Sequence, residues 1–320
     1  MWLGFPSHGD LWEDNLAPAQ AEVAALARAL AGPGGERVRL MVCGDEAMIT
    51  ARAQLDGVRG VEFVQAQFGD IWLRDTGPIF LSGEPDARAA GFRFNGWGGK
   101  YILDDDDIVA EQIAAAAGVP LTPHDFVIEG GALDHDGFGA VITTRQCLLN
   151  PNRNPGWTEA TAEAALAEAI GAQRVLWLND GLVNDHTDGH VDNLARFVAP
   201  GVVACPVAYG ANDPNAAVYD DVARTLASMC GPRGSPLQVA RIASPGLIEN
   251  EDGDIVPASH MNFIIANQAV IAPIYDEASG GLALDALRGL FPERAVIGLS
   301  ARAVLTGGGS FHCITQQEPA

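Results

Sequence analysis

The chain has 320 residues, 48 % hydrophobic and 19 % charged, which fits a globular protein with a large core and excludes disorder, collagen-like repeats and coiled coil. Its 41 acidic and 19 basic residues leave a net charge of −22, and Lys100 is the one lysine. Nucleic acid and anionic membrane surfaces need clustered Lys and Arg and drop out as partners, whereas a cationic small molecule suits such a surface. No apolar run reaches the ~18–20 residues of a membrane-spanning helix, and Met1-Trp2-Leu3-Gly4-Phe5-Pro6 has no signal-peptide character.

In chain order, the pattern predicts a helix over 18–31, with Pro18 near its start and Gly32 past its end, then strands over 38–43 and 61–67. Asp70-Ile71-Trp72-Leu73-Arg74-Asp75-Thr76-Gly77-Pro78 follows, a charged pair in an apolar stretch. It reads equally well as a turn with a surface ion pair or as part of a site. A strand over 78–81 and a helix over 104–117 lead to Val127-Ile128-Glu129-Gly130-Gly131. There a carboxylate ends an apolar run, and two glycines allow close backbone approach. A strand over 140–144, a helix over 158–170 capped by Thr158 and a strand over 175–178 come next.

Asn184-Asp185-His186-Thr187-Asp188-Gly189-His190-Val191-Asp192-Asn193 is the densest polar cluster. On a strand, the i, i+2 spacing of His190 and Asp192 puts both side chains on one face. His186, His190 and Asp192 are also a donor set for zinc or iron, and a metal-dependent hydrolase is the alternative they support. A helix over 216–229, strands over 263–265 and 270–274, a helix over 282–291 and a strand over 296–299 complete an α/β pattern. The chain then runs through Thr306-Gly307-Gly308-Gly309-Ser310-Phe311-His312-Cys313, where three glycines can bend the backbone enough to deliver a thiol to a pocket. Five cysteines without a CxxC pair predict neither a disulfide framework nor a zinc site, and fit a reducing compartment. Cys43, Cys147, Cys205 and Cys230 stand in apolar settings and read as inert thiols.

No linker divides the chain, so one domain of many small α/β units is expected. Asp75, Glu129, His190 and Cys313 are separated by 54, 61 and 123 residues, which fits a degenerate repeat of about 60 residues with one unit skipped. A thiol with a distant His is the ordinary pairing of a nucleophile and its acid/base. Carboxylates around it suit a cationic electrophile, and guanidinium pairs bidentately with them. Asp75, Glu129 and Asp192 around Cys313 and His190 therefore describe a deiminase site.

The chain resembles the agmatine deiminase family, within the guanidino-modifying (pentein) superfamily that also holds arginine deiminases and a bacterial peptidylarginine deiminase. The resemblance rests on Trp72-Leu73-Arg74-Asp75-Thr76-Gly77-Pro78, Phe94-Asn95-Gly96-Trp97-Gly98-Gly99, Glu129-Gly130-Gly131, Leu148-Leu149-Asn150-Pro151-Asn152-Arg153-Asn154-Pro155, Asp188-Gly189-His190-Val191-Asp192-Asn193, Pro257-Ala258-Ser259-His260-Met261-Asn262-Phe263 and Gly307-Gly308-Gly309-Ser310-Phe311-His312-Cys313. It implies a five-bladed α/β propeller with pseudo-fivefold symmetry and hydrolysis of agmatine to N-carbamoylputrescine and ammonia, without metal or cofactor. It also implies Cys313 as nucleophile, His190 as acid/base with Glu129 beside it, Asp75 and Asp192 as guanidinium clamps and Trp72 as a pocket wall. Arginine, peptidyl-arginine or another guanidino compound is the alternative substrate. Many members have an acid near the substrate's far amine where this chain has His186, and Asp185 or Asp188 would have to supply that charge. A Pro-Ala-Glu-Trp-type segment of the family has no counterpart before Trp2, so a start upstream of Met1 is an expectation. A cytoplasmic location and a homodimer complete the expectations.

Overall fold

The computed structural model describes residues 1–82, 87–231 and 234–319, and within them sixteen short strands form five sheets. The first holds β1 (Trp2–Gly4), β2 (Val38–Val42) and β3 (Val61–Gln65), all parallel. The next four repeat one pattern: a short strand antiparallel to a middle strand, which in turn runs parallel to a third. They comprise β4 (Ile79–Leu81), β5 (Arg88–Arg93) and β6 (Leu121–Val127), then β7 (Asp134–His135), β8 (Ala140–Thr144) and β9 (Arg174–Leu178). After these come β10 (Arg196–Ala199), β11 (Val202–Val207) and β12 (Gln238–Ala243), then β13 (Ile264–Ile265), β14 (Ala269–Ile274) and β15 (Ala295–Ser300). A parallel pair needs a crossover. The helices Leu16–Ala31, Val109–Ala117, Glu159–Ile170, Ala216–Ala227 and Glu277–Leu290 supply it, one per unit, and Asp45–Leu55 serves the additional parallel pair β2 and β3 of the first unit.

The first unit takes its antiparallel strand from the far end of the chain. There β16 (Thr315–Gln316) pairs with β1, Trp2 opposite Gln316 and Leu3 opposite Thr315, and the five units close into a five-bladed α/β propeller. The interval of about 60 residues is one such unit. The connection from each third strand to the next unit's first strand carries Asp75, Glu129, Asp192, Asn262 and Cys313 in turn. The skipped unit is the one that contributes Asn262.

Local chemistry moves several predicted boundaries. The expected helix over 104–117 begins at Val109, because Asp105 is left-handed (φ 68°) and residues 106–108 form a single 3-10 turn. The fifth helix starts at Glu277 rather than at 282, since Asp276 accepts hydrogen bonds from the Ala278 and Ser279 amides. Within it, Gly280 packs on β14, where a Cβ would stand 2.8 Å from Ile274 Cγ2. β6 escapes a pattern search because it reads Leu-Thr-Pro-His-Asp-Phe-Val, which a sheet tolerates at an edge. The helix Asp45–Leu55 is likewise unannounced: its sequence shows no strong apolar stripe, and it buries only Ala47, Ala51 and Leu55. His190 and Asp192 do not lie on a strand. Gly189 turns the chain at φ 89°, and a 3-10 turn, Val191–Asn193, follows. Among the described residues no helix is long and apolar enough to cross a membrane.

Candidate active site

Connections from all five units meet around Cys313. The floor is set first by Asn154, which grips both the amide (2.9 Å) and the carbonyl (2.8 Å) of Val127 and so fixes the end of β6. Two residues on, Glu129 Oε1 accepts from Arg153 Nε at 2.6 Å, with both side chains buried. The Arg153 fork continues to Asp188 Oδ2 (2.6 Å) and the Thr187 carbonyl (2.9 Å). Burial alone would lower its pKa, but Glu129, Cys147 and Asp188 outweigh burial and raise it. Gly131 lets the next unit approach: a Cβ there would stand 2.5 Å from His190 Nδ1 and 2.7 Å from Asp75 Oδ1.

His190 is 1 % exposed, and neither ring nitrogen has a hydrogen-bond partner within range. Nδ1 lies 3.7 Å from Asp75 Oδ1 and Nε2 lies 4.0 Å from Glu129 Oε2. Burial pushes the imidazole down, but the Asp75 charge, the neighbouring Cys147 sulfur and the Glu129 charge outweigh burial and raise it well above 6.5. Cys147 belongs to this floor. It sits in a one-turn helix, Arg145–Leu148, capped by Thr144, is fully buried, and has its sulfur within 4.8 Å of donor atoms of Glu129 and His190. Cys147 is buried as expected, and burial raises its thiol pKa, but its setting beside Glu129 and His190 is polar rather than apolar. Cys205 is also buried as expected, whereas Cys43 and Cys230 are half-buried. Among the described residues, Glu129, Cys147 and His190 are the only His/Cys/Asp/Glu trio close enough to share a metal ion. The trio His186, His190 and Asp192 is not gathered.

Asp75 Oδ1 accepts from the Gly131 amide and Oδ2 from Trp97 Nε1, both at 2.9 Å. The expected surface pair between Arg74 and Asp75 does not form. Arg74 is buried and turns the other way, to Gln316 Oε1 (2.7 Å) and the His312 carbonyl (3.3 Å), while its amide holds the Cys313 carbonyl. Burial and Arg196 bring its pKa down to about 10. Asp192 is fully buried. Its Oδ2 accepts from His312 Nδ1 at 2.8 Å and faces Cys313 Sγ at 3.6 Å, while Oδ1 has no partner. Burial and the neighbouring Asp75 raise its pKa to about 7 against His190 and two arginines. Burial, Arg196 and Arg74 push His312 well below 6.5, so it is neutral and donates to Asp192. Asn262 Oδ1 lies 3.1 Å from Cys313 Sγ and 3.3 Å from its amide, oriented by an Nδ2 bond to Asn193. Burial, Asp192 and Asp75 push the Cys313 thiol well above its usual value, so at rest it is protonated.

A pocket of about 430 Å³ opens onto Cys313. Trp72 and Trp12 stack on one wall with centroids 6.2 Å apart, and a single carboxylate, Asp70, accepts both indole N–H groups at 2.8 and 2.9 Å. The other wall holds Trp97, Tyr101 and His186. The last two stack, with Tyr101 Oη 2.9 Å from His186 Nδ1. Of the residues expected to bind substrate, Asp75, Trp72 and His186 line this pocket together with Cys313. Asp192, fully buried behind Cys313, and Asp188 do not, and the Asp188 carboxylate lies under Lys100, Asn152 and Arg153. Sequence reasoning left Asn262, His312, Trp97, Arg153, Asp70 and Cys147 out of the site. For Asn262 a signal existed, the unit skipped by the interval. The others depend on which loops meet.

A five-bladed propeller whose connections gather a thiol, an imidazole and three carboxylates defines a guanidino-modifying enzyme. The chain matches the Porphyromonas-type peptidyl-arginine deiminase family over residues 1–319, and it belongs to that family. It is 37 % identical to the agmatine deiminase of Stutzerimonas stutzeri over 344 aligned residues, covering 100 % of this chain and 92 % of the relative. Its structure is similar to that of Enterococcus faecalis agmatine deiminase, with a TM-score of 0.92 and 33 % identity over 99 % of this chain and 92 % of that one. A substrate-bound cysteine-to-serine variant of C. jejuni agmatine deiminase superposes with a TM-score of 0.87 at 25 % identity, covering 98 % and 90 %.

Proposed function

We propose that the protein hydrolyses agmatine to N-carbamoylputrescine and ammonia, as a single deiminase domain with Cys313 as nucleophile. The observation that carries the reading is the thiol at 3.6 Å from Asp192 and 3.1 Å from Asn262, facing a carboxylate-lined pocket. Asp75 and Asp192 hold the guanidinium. That cation offsets the charges of Asp192 and Asp75, which together with burial keep the thiol protonated, and the thiol proton passes to solvent water in the pocket. The thiolate adds to the guanidinium carbon. His190, held as imidazolium by its acidic neighbours, protonates one amino group, and the C–N bond breaks to release ammonia. A cationic thiouronium remains. Neutral His190 then takes a proton from water, and the hydroxide adds to the same carbon. The C–S bond then breaks as the ureido C=O forms, and the hydroxyl proton passes to the departing sulfur, which regenerates the Cys313 thiol. Glu129, fixed by Arg153, keeps His190 in place.

The five free cysteines and the net charge of −22 support a cytoplasmic setting and a cationic small-molecule partner rather than nucleic acid. The test is a panel of agmatine, arginine, an arginine peptide and simple guanidines, assayed for both ammonia and ureido product. Agmatine turnover that persists after exhaustive chelation is the expected result. Turnover lost with EDTA and restored by one metal would favour a metal-dependent hydrolase instead.

A further inference from the structure

A fixed aromatic wall joins the thiol to the rim of the pocket. A Cβ on Gly309 would lie 3.2 Å from Cys313 Cβ and 2.5 Å from Trp72 Cζ3. One on Gly307 would lie 2.9 Å from Trp72 Cζ2 and 2.7 Å from Trp12 Cη2. The glycine loop thus runs against the two stacked indoles from beside the thiol outwards, and Asp70 holds both rings. Glu13 follows Trp12 directly and lines the same pocket. Its backbone sits at φ 45°, ψ −127°, where a residue with a Cβ is strained, and its amide is committed to the Gly9 carbonyl. Strain of this kind persists only where the surroundings impose it. Among the described residues no hydrogen bond or ion pair engages the exposed Glu13 carboxylate. Of the other carboxylates of the pocket, Asp70 is taken by two indoles, and Asp75, held by Trp97 and Gly131, is assigned to the guanidinium end of the substrate.

The opposite wall is unsuited to a second positive charge. His186 is tied to Tyr101, and Lys100 Nζ lies 2.7 Å from the His186 carbonyl and 2.6 Å from Asp188. We propose that Glu13 is the specificity-determining carboxylate that receives the substrate's distal ammonium, with the methylene chain laid along Trp72 and Trp12. The substrate class is then an ω-amino alkylguanidine, and the inference rests on the deiminase reading above. Free arginine would set its α-carboxylate against Glu13.

The experiment measures kcat and KM for agmatine, for an alkylguanidine of equal length lacking the amine, and for arginine, in the wild type and in Glu13→Gln, Glu13→Asp and Glu13→Gly. Glu13→Gln is expected to lower the agmatine-to-alkylguanidine ratio of kcat/KM about fivefold, the scale of a part-exposed ion pair, through KM rather than kcat. Glu13→Asp should restore part of the ratio. Glu13→Gly should lose it while melting no lower than wild type, since glycine relieves the backbone. An unchanged ratio in Glu13→Gln, or an equal loss on both guanidines, would overturn the assignment. Failure of the wild type to deiminate any of the three would instead overturn the deiminase reading.

Discussion

On the floor of the pocket the Arg153, Glu129 and His190 side chains are 0–1 % exposed, and charge faces charge, whereas at the rim Glu13, Tyr101 and His186 are exposed and held by stacking or by the backbone. On the floor, low dielectric amplifies each charge and shifts the neighbouring proton equilibria, which is what acid/base chemistry requires. At the rim water screens charge, so an unpaired carboxylate is tolerated and selectivity rests on modest ion-pair and aromatic contacts. On the proposed reading, the buried groups set the reaction type, and the exposed ones would read the substrate's length and far charge.

The largest break in this division is Cys313→Ser. Turnover should fall by on the order of 10⁴-fold or more, because nothing near residue 313 is poised to ionise a hydroxyl. The melting temperature should hold, since the swap is nearly isosteric. A haloacetamidine should label Cys313 in the wild type, and labelling of Cys43 or Cys205 with Cys313 untouched would remove it from the reaction.

Next in size is the contrast between a buried and an exposed ion pair. Arg153→Met strands the Glu129 carboxylate and should cost about 3–5 kcal/mol in denaturant titration. Arg93→Met, whose partner Asp125 is 93 % exposed, should stay within about 0.5 kcal/mol. Comparable losses in both would mean that burial does not set the worth of an ion pair in this protein.

Asp192→Asn sharpens the electrostatic half. The Asp192 carboxyl is held protonated up to about pH 7, so kcat/KM for a cationic substrate should rise through about pH 7 as the clamp ionises. The Asn variant should lack that rising limb and lose roughly tenfold or more in kcat/KM. The stability sign is opposite. A raised folded pKa contributes stability that is complete below the unfolded carboxylate's value and is lost as pH rises through about 7. Between pH 5 and 8, therefore, the substrate-free wild type should lose more melting temperature than Asp192→Asn. Parallel melting curves across that range would refute the shift.

The smallest expected effect is that of Cys147→Ala, a change of a few fold in rate. Its signature is the pH profile. Cys147 helps hold His190 protonated, so the falling limb above neutrality should move to lower pH in the Ala variant. A profile superimposable on wild type would reduce Cys147 to a packing residue.

Much of the chemistry was legible in residue types. Cys313 after three glycines, the His190–Asp192 pair and Glu129 before Gly130-Gly131 stand out because each breaks a local apolar or regular pattern. The interval of about 60 residues also carried the repeat, although unit identity has eroded, because each unit must still return the chain to the same place. What stayed hidden were residues with no local oddity. Asn262, Trp97 and Asp70 look like ordinary loop or apolar-flanking residues, and Cys147 like a core thiol. Spacing also misled once: the i, i+2 argument for His190 and Asp192 presumed a strand, and Gly189 followed by a 3-10 turn breaks it.

The sequence by itself determined the helices with clear caps and the α/β alternation, and it singled out the thiol, imidazole and carboxylates of the candidate site, because caps, periodicity and reactive groups are properties of neighbours along the chain. Only the tertiary structure decided that β16 closes the ring on β1, that Arg74 turns away from Asp75, and that Glu129, Cys147 and His190 share one dry floor. It alone set Asp192 near pH 7 and His190 above its usual value, since burial and the charges facing a group come from units tens to hundreds of residues away.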